Sequence, residues 1–427
     1  MASGRTGTVW LDMASNGEHG RRLAAVEQAF RGLPGRYLGA DPRFDATYQI
    51  RLGDVGRTWE VRCTADHARV HPGATARRPD VVIGTDAQTW LELREGRLSG
   101  IEAFSSRRLY ITGELDLAVA FEGLFELPGH RPPLLRMRPV DVGDTWVSTL
   151  TIGEGPDVVL IHGLGGAKSS FLDTAAALST DFRVHALDLP GFGSSGKPLR
   201  GPYNAAWFAD VVLRTMDALG VPRAHVAGNS MGGRVALELG LRAPERVGGL
   251  VLLCPAVAFI KRGLHPVVRL LRPEFGLLPH RFTRGMVEDH LWSLFAVPDA
   301  IDPAIADVIV DEFQRIYASA GGRLAFLSAA RNIYLDAPFG RNGFYPRLSD
   351  LESPALFVWG THDTLIPAAF ARQVGRWLPQ AEQIVLEGCG HVPQVERAEQ
   401  TAGIMRRFFR QADALSATAD VAPVRAA

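Results

Sequence analysis

Beyond residue 140 the chain repeats one pattern. A short, almost wholly apolar run is followed by a glycine- or proline-marked turn, then a longer stretch with apolar positions every three or four residues. The runs are "DVVLIHG" (157–163), "FRVHALDLPG" (182–191), "RAHVAGNS" (223–230), "VGGLVLLCP" (247–255), "PALFVWG" (354–360) and "EQIVLEG" (382–388). Strands hidden on both faces of a parallel sheet have this near-continuous apolar character. Stretches such as "AAWFADVVLRTMDALG" and "GGRVALELGLRAPE" supply the helices between them. The alternation predicts an open α/β sheet with ligands at the carboxyl ends of its strands.

Two intervals break the pattern. From about 257 to 345 the segments "VVRLLRPEFGLL", "MVEDHLWSLF" and "VDEFQRIYASAGGRLAFLSAA" are helix-like, apolar and aromatic. Inserted after a strand end, they predict a helical lid over the site; the alternative is a set of core helices packed elsewhere on the sheet. The first 130 residues lack the alternation altogether. "RFDATYQIRLG" and "RTWEVRCTADHARVHPG" read as successive antiparallel strands. "DVVIGTDAQTWLELREG" reads as a strand entering a helix, with Thr85 or Asp86 as its cap. A further helix, a strand through "RLYITG" and a closing amphipathic helix complete a small α+β unit.

The stretch "LPGHRPPLLRMRP", 127–139, holds four prolines and a glycine and reads as a linker. The expected organisation is therefore a domain over 1–127, a linker over 128–139, a second domain over 140–410 and a frayed, alanine-rich tail over 411–427. The length of 427 residues suits two domains.

Charge narrows the partners. Lys plus Arg and Asp plus Glu are 46 each, so no overall basic surplus draws the molecule to nucleic acid or an anionic membrane. Cys63, Cys254 and Cys389 lie far apart and have no metal-ligand spacing. The N-terminus has no apolar signal core, and no window reaches the roughly 18 to 20 apolar residues of a membrane span. These features predict a soluble, cytoplasmic protein.

Chemistry concentrates in "HVAGNSMGGRVAL" (225–237). A serine hydroxyl is a poor nucleophile without a base to take its proton and donors to hold the oxyanion. Ser230 lies between Gly228 and Gly232, the G-x-S-x-G pattern of a sharp strand-to-helix turn. The Met231 amide would open the helix and could donate to an oxyanion. "GCGHVPQ" supplies His391 as base after the last strand, and "VWGTHDTLIP" supplies Asp363 as its orienting acid. Ser, Asp, His is the chain order this sheet requires. "LIHGLGG" ends an early strand and offers the Leu164 amide as second oxyanion donor. His162 reads as a shaper of that loop, Asp188 of "DLPG" as a loop hydrogen-bonder, His362 as a loop histidine and Cys389 as a small buried thiol.

These motifs carry a resemblance. With "HGLGG", "DLPGFGSSGKP", "GNSMGG", "WGTHD" and "GCGHVPQVERAEQ" in order, residues 136 to 410 resemble an α/β-hydrolase. The resemblance implies an acyl-enzyme mechanism on the triad Ser230, Asp363 and His391, with no metal or organic cofactor. A serine at the elbow excludes the aspartyl-ester chemistry of related dehalogenases and epoxide hydrolases. Residues 20 to 127 resemble sterol carrier protein 2, through Gly96, Ala103-Phe104, Arg108, "LYITG" and "ELDLAVAF". That resemblance implies an apolar tunnel for a lipid ligand; Trp90, Phe104, Leu117 and Phe121 would line it or fill an ordinary core.

The leading expectation is a serine hydrolase of carboxylic esters, esterase- or lipase-like, acting on hydrophobic substrates. Two alternatives stand beside it. "GNSMGG" also resembles the elbow of carbon–carbon bond hydrolases of ring-cleavage products, although those carry an aromatic residue after the catalytic histidine where this chain has Val392. The other is a lipid-binding protein whose hydrolase half is degenerate.

Overall fold

A computed structural model describes residues 7–40, 42, 44–76, 78–127, 135–259, 265–270, 272–278, 283–298 and 303–421. The chain divides into two compact units, Met1–Leu135 and Arg136–Ala427.

The first unit opens with helix α1 (Gly7–Gly32). It is built on a five-stranded sheet of β1 (Asp45–Leu52), β2 (Arg57–Thr64), β3 (Ala68–Pro72), β4 (Val81–Thr85) and β5 (Leu109–Gly113), in the order β3-β2-β1-β4-β5. All pairings are antiparallel except β1 with β4. Helix α2 (Ala87–Arg94) is capped by Asp86, whose side chain accepts from the Thr89 amide. The capping box of Ser99 and Glu102 starts α3 (Gly100–Ser105), and α4 (Leu115–Gly123) closes the unit. Phe30 of α1 stacks on Trp59 of β2 and Trp90 of α2, so an aromatic layer joins helices to sheet.

The second unit is an eight-stranded sheet. Its strands are β6 (Leu135–Asp141), β7 (Trp146–Ile152), β8 (Asp157–Ile161), β9 (Arg183–Leu187), β10 (Ala224–Asn229), β11 (Val247–Leu253), β12 (Ala355–Gly360) and β13 (Glu382–Leu386). The order is β13-β12-β11-β10-β8-β9-β7-β6, parallel from β13 to β9 and antiparallel at β7–β9. Strands β10, β11 and β12 are buried at every position, which accounts for their apolar sequences. The helices between strands are α5 (Leu172–Leu178), α6 (Ala205–Leu219) and α7 (Met231–Arg242). Between β11 and β12 run α8 (His265–Leu270), α9 (Arg284–Trp292), α10 (Pro303–Ala318), α11 (Ala320–Leu335) and α12 (Phe344–Leu348). Then come α13 (Phe370–Trp377), α14 (Pro393–Glu396) and α15 (Ala398–Val421).

Two sequence expectations are corrected. Residues 135–139, read as linker, already belong to β6; this edge strand tolerates Pro139 because an edge position needs no ladder donor there. Residues 128–134 of the linker lie outside the described residues. The stretch from 411 is not a frayed tail as far as Val421, because α15 continues through it. Alanine favours helix, and tertiary contacts hold this one: Ala412 is buried, Asp413 lies 3.1 Å from His225, and Ser416 accepts from Arg223. Residues 422–427 lie outside the described residues. Among the described residues no helix is long and apolar enough to cross a membrane.

Candidate active site

Ser230 occupies the one-residue turn between β10 and α7, with φ 53° and ψ −114°. Such a backbone costs a non-glycine residue on the order of 1–3 kcal/mol and persists only where its surroundings impose it. Here they do. The Ser230 amide donates to the Leu253 carbonyl at 2.9 Å, and its own carbonyl accepts from Ala256 at 2.8 Å and Arg234 at 3.1 Å. The flanking glycines are required by space: a Cβ on Gly228 would overlap the Gly232 carbonyl, and one on Gly232 would overlap the Ile161 carbonyl. Met231 is the first residue of α7, so its amide is one of the four N–H groups without an intrahelical acceptor.

His391 and Asp363 pair in the interior of the same unit. His391 Nδ1 donates to Asp363 Oδ2 at 2.7 Å, and both residues are buried. The other carboxylate oxygen, Oδ1, accepts from the Leu365 and Ile366 amides at 2.9 Å each. These bonds fix the carboxylate, and its other oxygen favours the histidine tautomer protonated at Nδ1. Asn229, next to the serine, donates to the His391 carbonyl at 2.9 Å and the Leu253 carbonyl at 3.1 Å. The elbow and the histidine loop are thereby tied through one side chain.

The loop carrying Leu164 packs on the elbow. A Cβ placed on Gly163 would stand 3.4 Å from Ser230 Cβ. His162 is a brace: its Nε2 accepts from the Leu189 amide at 3.0 Å while Nδ1 donates to the Gly163 carbonyl at 2.7 Å. Burial holds His162 below the usual histidine range, so it is neutral and suited to this double role. Asp188 anchors the far end of the loop, accepting from Lys168 N at 2.7 Å, Lys168 Nζ at 2.6 Å and Ser194 N at 2.9 Å. Burial pushes the Asp188 carboxyl up, but the Lys168 ammonium and its hydrogen bonds outweigh it and keep it ionised.

Three residues of this site were not singled out in the sequence. Lys168 and Asn229 act through tertiary contacts alone. Cys254, at φ 44° just past β11, has its Sγ within 4.8 Å of the Asp363 carboxylate and a His391 ring nitrogen. Cys254, Asp363 and His391 form a buried S, O, N set that could hold a soft metal ion. Burial raises the Cys254 thiol well above its usual range, so it is protonated and a donor rather than a ligand. Cys389 is likewise buried and pushed up to about 12. His362 sits in a loop, its Nδ1 3.0 Å from Thr361 Oγ1.

Known proteins match both units. The sequence pattern of the Alpha/beta hydrolase family fits residues 158–404, and that of the SCP-2 sterol transfer family fits residues 40–126. The chain is 34% identical over 263 residues to the dihydrolipoyllysine-residue acetyltransferase component of the acetoin cleaving system of Pseudomonas putida, covering 60% of this chain and 64% of that one. It thus spans less than two thirds of that relative. It is 31% identical over 272 residues to 2-hydroxymuconate semialdehyde hydrolase of Pseudomonas putida, covering 62% of this chain and 90% of the relative. The crystal structure of a membrane phospholipase A, a bacterial virulence factor, superposes with a TM-score of 0.56 at 29% identity, over 66% of this chain and 87% of that one. With the elbow, the sheet order and these matches in agreement, the chain belongs to the alpha/beta hydrolase family and carries an SCP-2 sterol transfer domain ahead of the hydrolase domain.

Proposed function

We propose that the protein is a serine hydrolase of carboxylic esters with apolar acyl or alcohol parts. Ser230 Oγ attacks the ester carbonyl as His391 Nε2 takes its proton. The amides of Leu164 and Met231 hold the oxyanion. The tetrahedral species collapses by breaking the bond to the alcohol, which leaves with the proton from His391. Water, deprotonated by His391, then attacks the acyl-serine, releasing the acid and restoring Ser230. Asp363 keeps the imidazole oriented and stabilises it when charged.

The observation that carries this reading is the imposed backbone of Ser230 beside a buried His391–Asp363 pair at 2.7 Å. The helices between β11 and β12 support an apolar substrate as a lid. Gly165 of the oxyanion loop lies against Phe313, Tyr317 and Phe326 of α10 and α11. The N-terminal domain's family supports a lipid ligand there.

A second reading, hydrolysis of a carbon–carbon bond in a ring-cleavage product, draws support from the 31% identity to 2-hydroxymuconate semialdehyde hydrolase. Hydrolysis of p-nitrophenyl esters of increasing chain length, wild type beside Ser230→Ala, tests the first reading. Turnover that rises with chain length and vanishes in the variant is expected. Turnover confined to vinylogous diketone substrates would favour the second. Ester turnover that survives in Ser230→Ala would overturn the assignment of the nucleophile.

A further inference from the structure

A cavity of about 180 Å³ lies beside the elbow helix, and none of Ser230, Leu164, Asp363 and His391 lines it. Its walls come from α6, α7, α11 and Arg347 of α12. The buried part of the wall is apolar, with Phe208, Met231, Val235 and Ala329 all at most 2% exposed. The charged part consists of two ion pairs. Arg234 NH2 lies 2.5 Å from Asp336 Oδ2, and Arg347 NH2 lies 2.9 Å from Glu238 Oε1. Arg234 and Glu238 are buried, whereas the side chains of Asp336 and Arg347 are 30% and 32% exposed. One anion and one cation are thus within reach of solvent at the same cavity.

Protein interiors are close-packed, so a space of this size bordered by charge needs a reason. Its edge is also held under constraint. Tyr203, another wall residue, has φ 52°, a left-handed backbone that a tyrosine takes only where its surroundings impose it. Asn332 of the same wall donates to the Pro202 and Tyr203 carbonyls at 2.9 and 3.0 Å. Two cations and two anions cancel, so a ligand of net charge meets repulsion along with attraction. A molecule carrying both signs meets attraction at both ends. A cavity of this size takes a body on the order of six to nine heavy atoms. The apolar wall asks that the rest of that body be hydrocarbon.

We propose that this cavity is a second site, which binds a zwitterionic α-amino acid with an aliphatic side chain. Its ammonium group pairs with Asp336, its carboxylate with Arg347, and its side chain lies on Phe208, Met231 and Val235. Occupancy reaches the elbow through the wall itself. Met231 is the first residue of α7, and the amides of Arg234 and Ala256 donate to the Ser230 carbonyl at 3.1 and 2.8 Å. The ligand therefore packs against the residues that impose the Ser230 backbone, and its binding stabilises that turn. The proposal is independent of whether the hydrolase substrate is an ester or a ring-cleavage product.

The test is calorimetric titration of the full chain with leucine, with isocaproate, which lacks the ammonium group, and with isoamylamine, which lacks the carboxylate. Leucine is expected to bind with a Kd of about 1 mM or below. Each analogue should bind at least about tenfold more weakly, the scale of one charge-assisted contact. Ala329→Leu fills the cavity from α11 and should abolish leucine binding. Arg347→Met leaves Glu238 with Arg242 at 3.9 Å and should bring leucine down to the level of isoamylamine. The second variant decides the matter should Ala329→Leu fail to fold, which its melting curve reports. Three results would each overturn the proposal: no binding of leucine at about 10 mM, equal binding of the three ligands, or leucine affinity unchanged in either folded variant. Hydrolase turnover plays no part in these readouts, so a failed esterase assay leaves them standing.

Discussion

The backbone amide of His391 donates to the carbonyl of Leu294 across 2.7 Å, joining the histidine loop to the helical insertion. Glu396 doubles the link. Its Oε2 accepts from the Gly390 amide at 2.7 Å, and its Oε1 from the Ala296 and Val297 amides at 3.0 and 3.3 Å. A Cβ on Gly390 would overlap the Leu294 carbonyl, so the two segments touch along their main chains. This end of the insertion is part of the scaffold that holds the histidine.

Glu396→Gln is therefore expected to lower kcat on a short soluble ester with little change in KM. A glutamine has one acceptor oxygen and must present its NH2 to donors on one side. A displacement of His391 by a fraction of an ångström to 1 Å costs up to about a hundredfold in rate. Steady-state kinetics check this, and an unchanged kcat would show the tether to be independent of catalysis.

Lys168→Met should destabilise the second unit by about 3–5 kcal/mol, the penalty for stranding one member of a buried ion pair. The stranded group is Asp188, which is wholly buried and also fixes the Lys168 and Ser194 amides. Urea denaturation of the variant measures the loss. A shift below about 1 kcal/mol would mean that water reaches the carboxylate.

Gly232→Ala adds a methyl group where the Ile161 and His162 carbonyls lie against the turn. Overpacking of this kind costs about 1–3 kcal/mol or more, and the strain falls on β8 and the loop that follows it. Expected is a folded, less stable protein with little esterase activity. Full activity would show that the elbow can relax.

Acidification should weaken the clamp on α15. His225 lies 3.1 Å from Asp413 and stacks on Phe409 at 4.5 Å, yet burial holds its pKa below the usual histidine value. The unfolded chain thus binds this proton more readily than the folded one. The stability contribution is complete above an unfolded pKa of about 6.5 and is lost as pH falls through the lower folded value. Melting temperatures of wild type and His225→Leu between pH 7.5 and 5 check the sign, since the variant should show the shallower decline.

Much of this was legible along the chain because it is local. Unbroken apolar runs mark strands covered on both faces, and β10, β11 and β12 fall on them. A serine between glycines at the end of such a run marks a turn too crowded for side chains, whatever lies elsewhere. The cap at Asp86 is of the same kind, a side chain satisfying an amide three residues on. The end of the chain was misread because small residues without sustained periodicity give no sign of what they will lean on. Helix α15 is held by His225, and by Asp181 through Arg406 and Arg410.

By itself, then, the sequence determined the alternation of strand and helix and the glycine-flanked turn at Ser230, both of which depend on neighbours within a few residues. Tertiary structure alone decided which distant groups share the burial. It set Cys254 beside Asp363, joined Asn229 to the His391 carbonyl, and coupled Glu396 to the helical insertion. A residue's spacing along the chain reports its conformation. Its partners follow from how sheets and helices close over one another, and only a folded chain brings such groups into a low-dielectric interior where an unpaired charge or donor becomes costly.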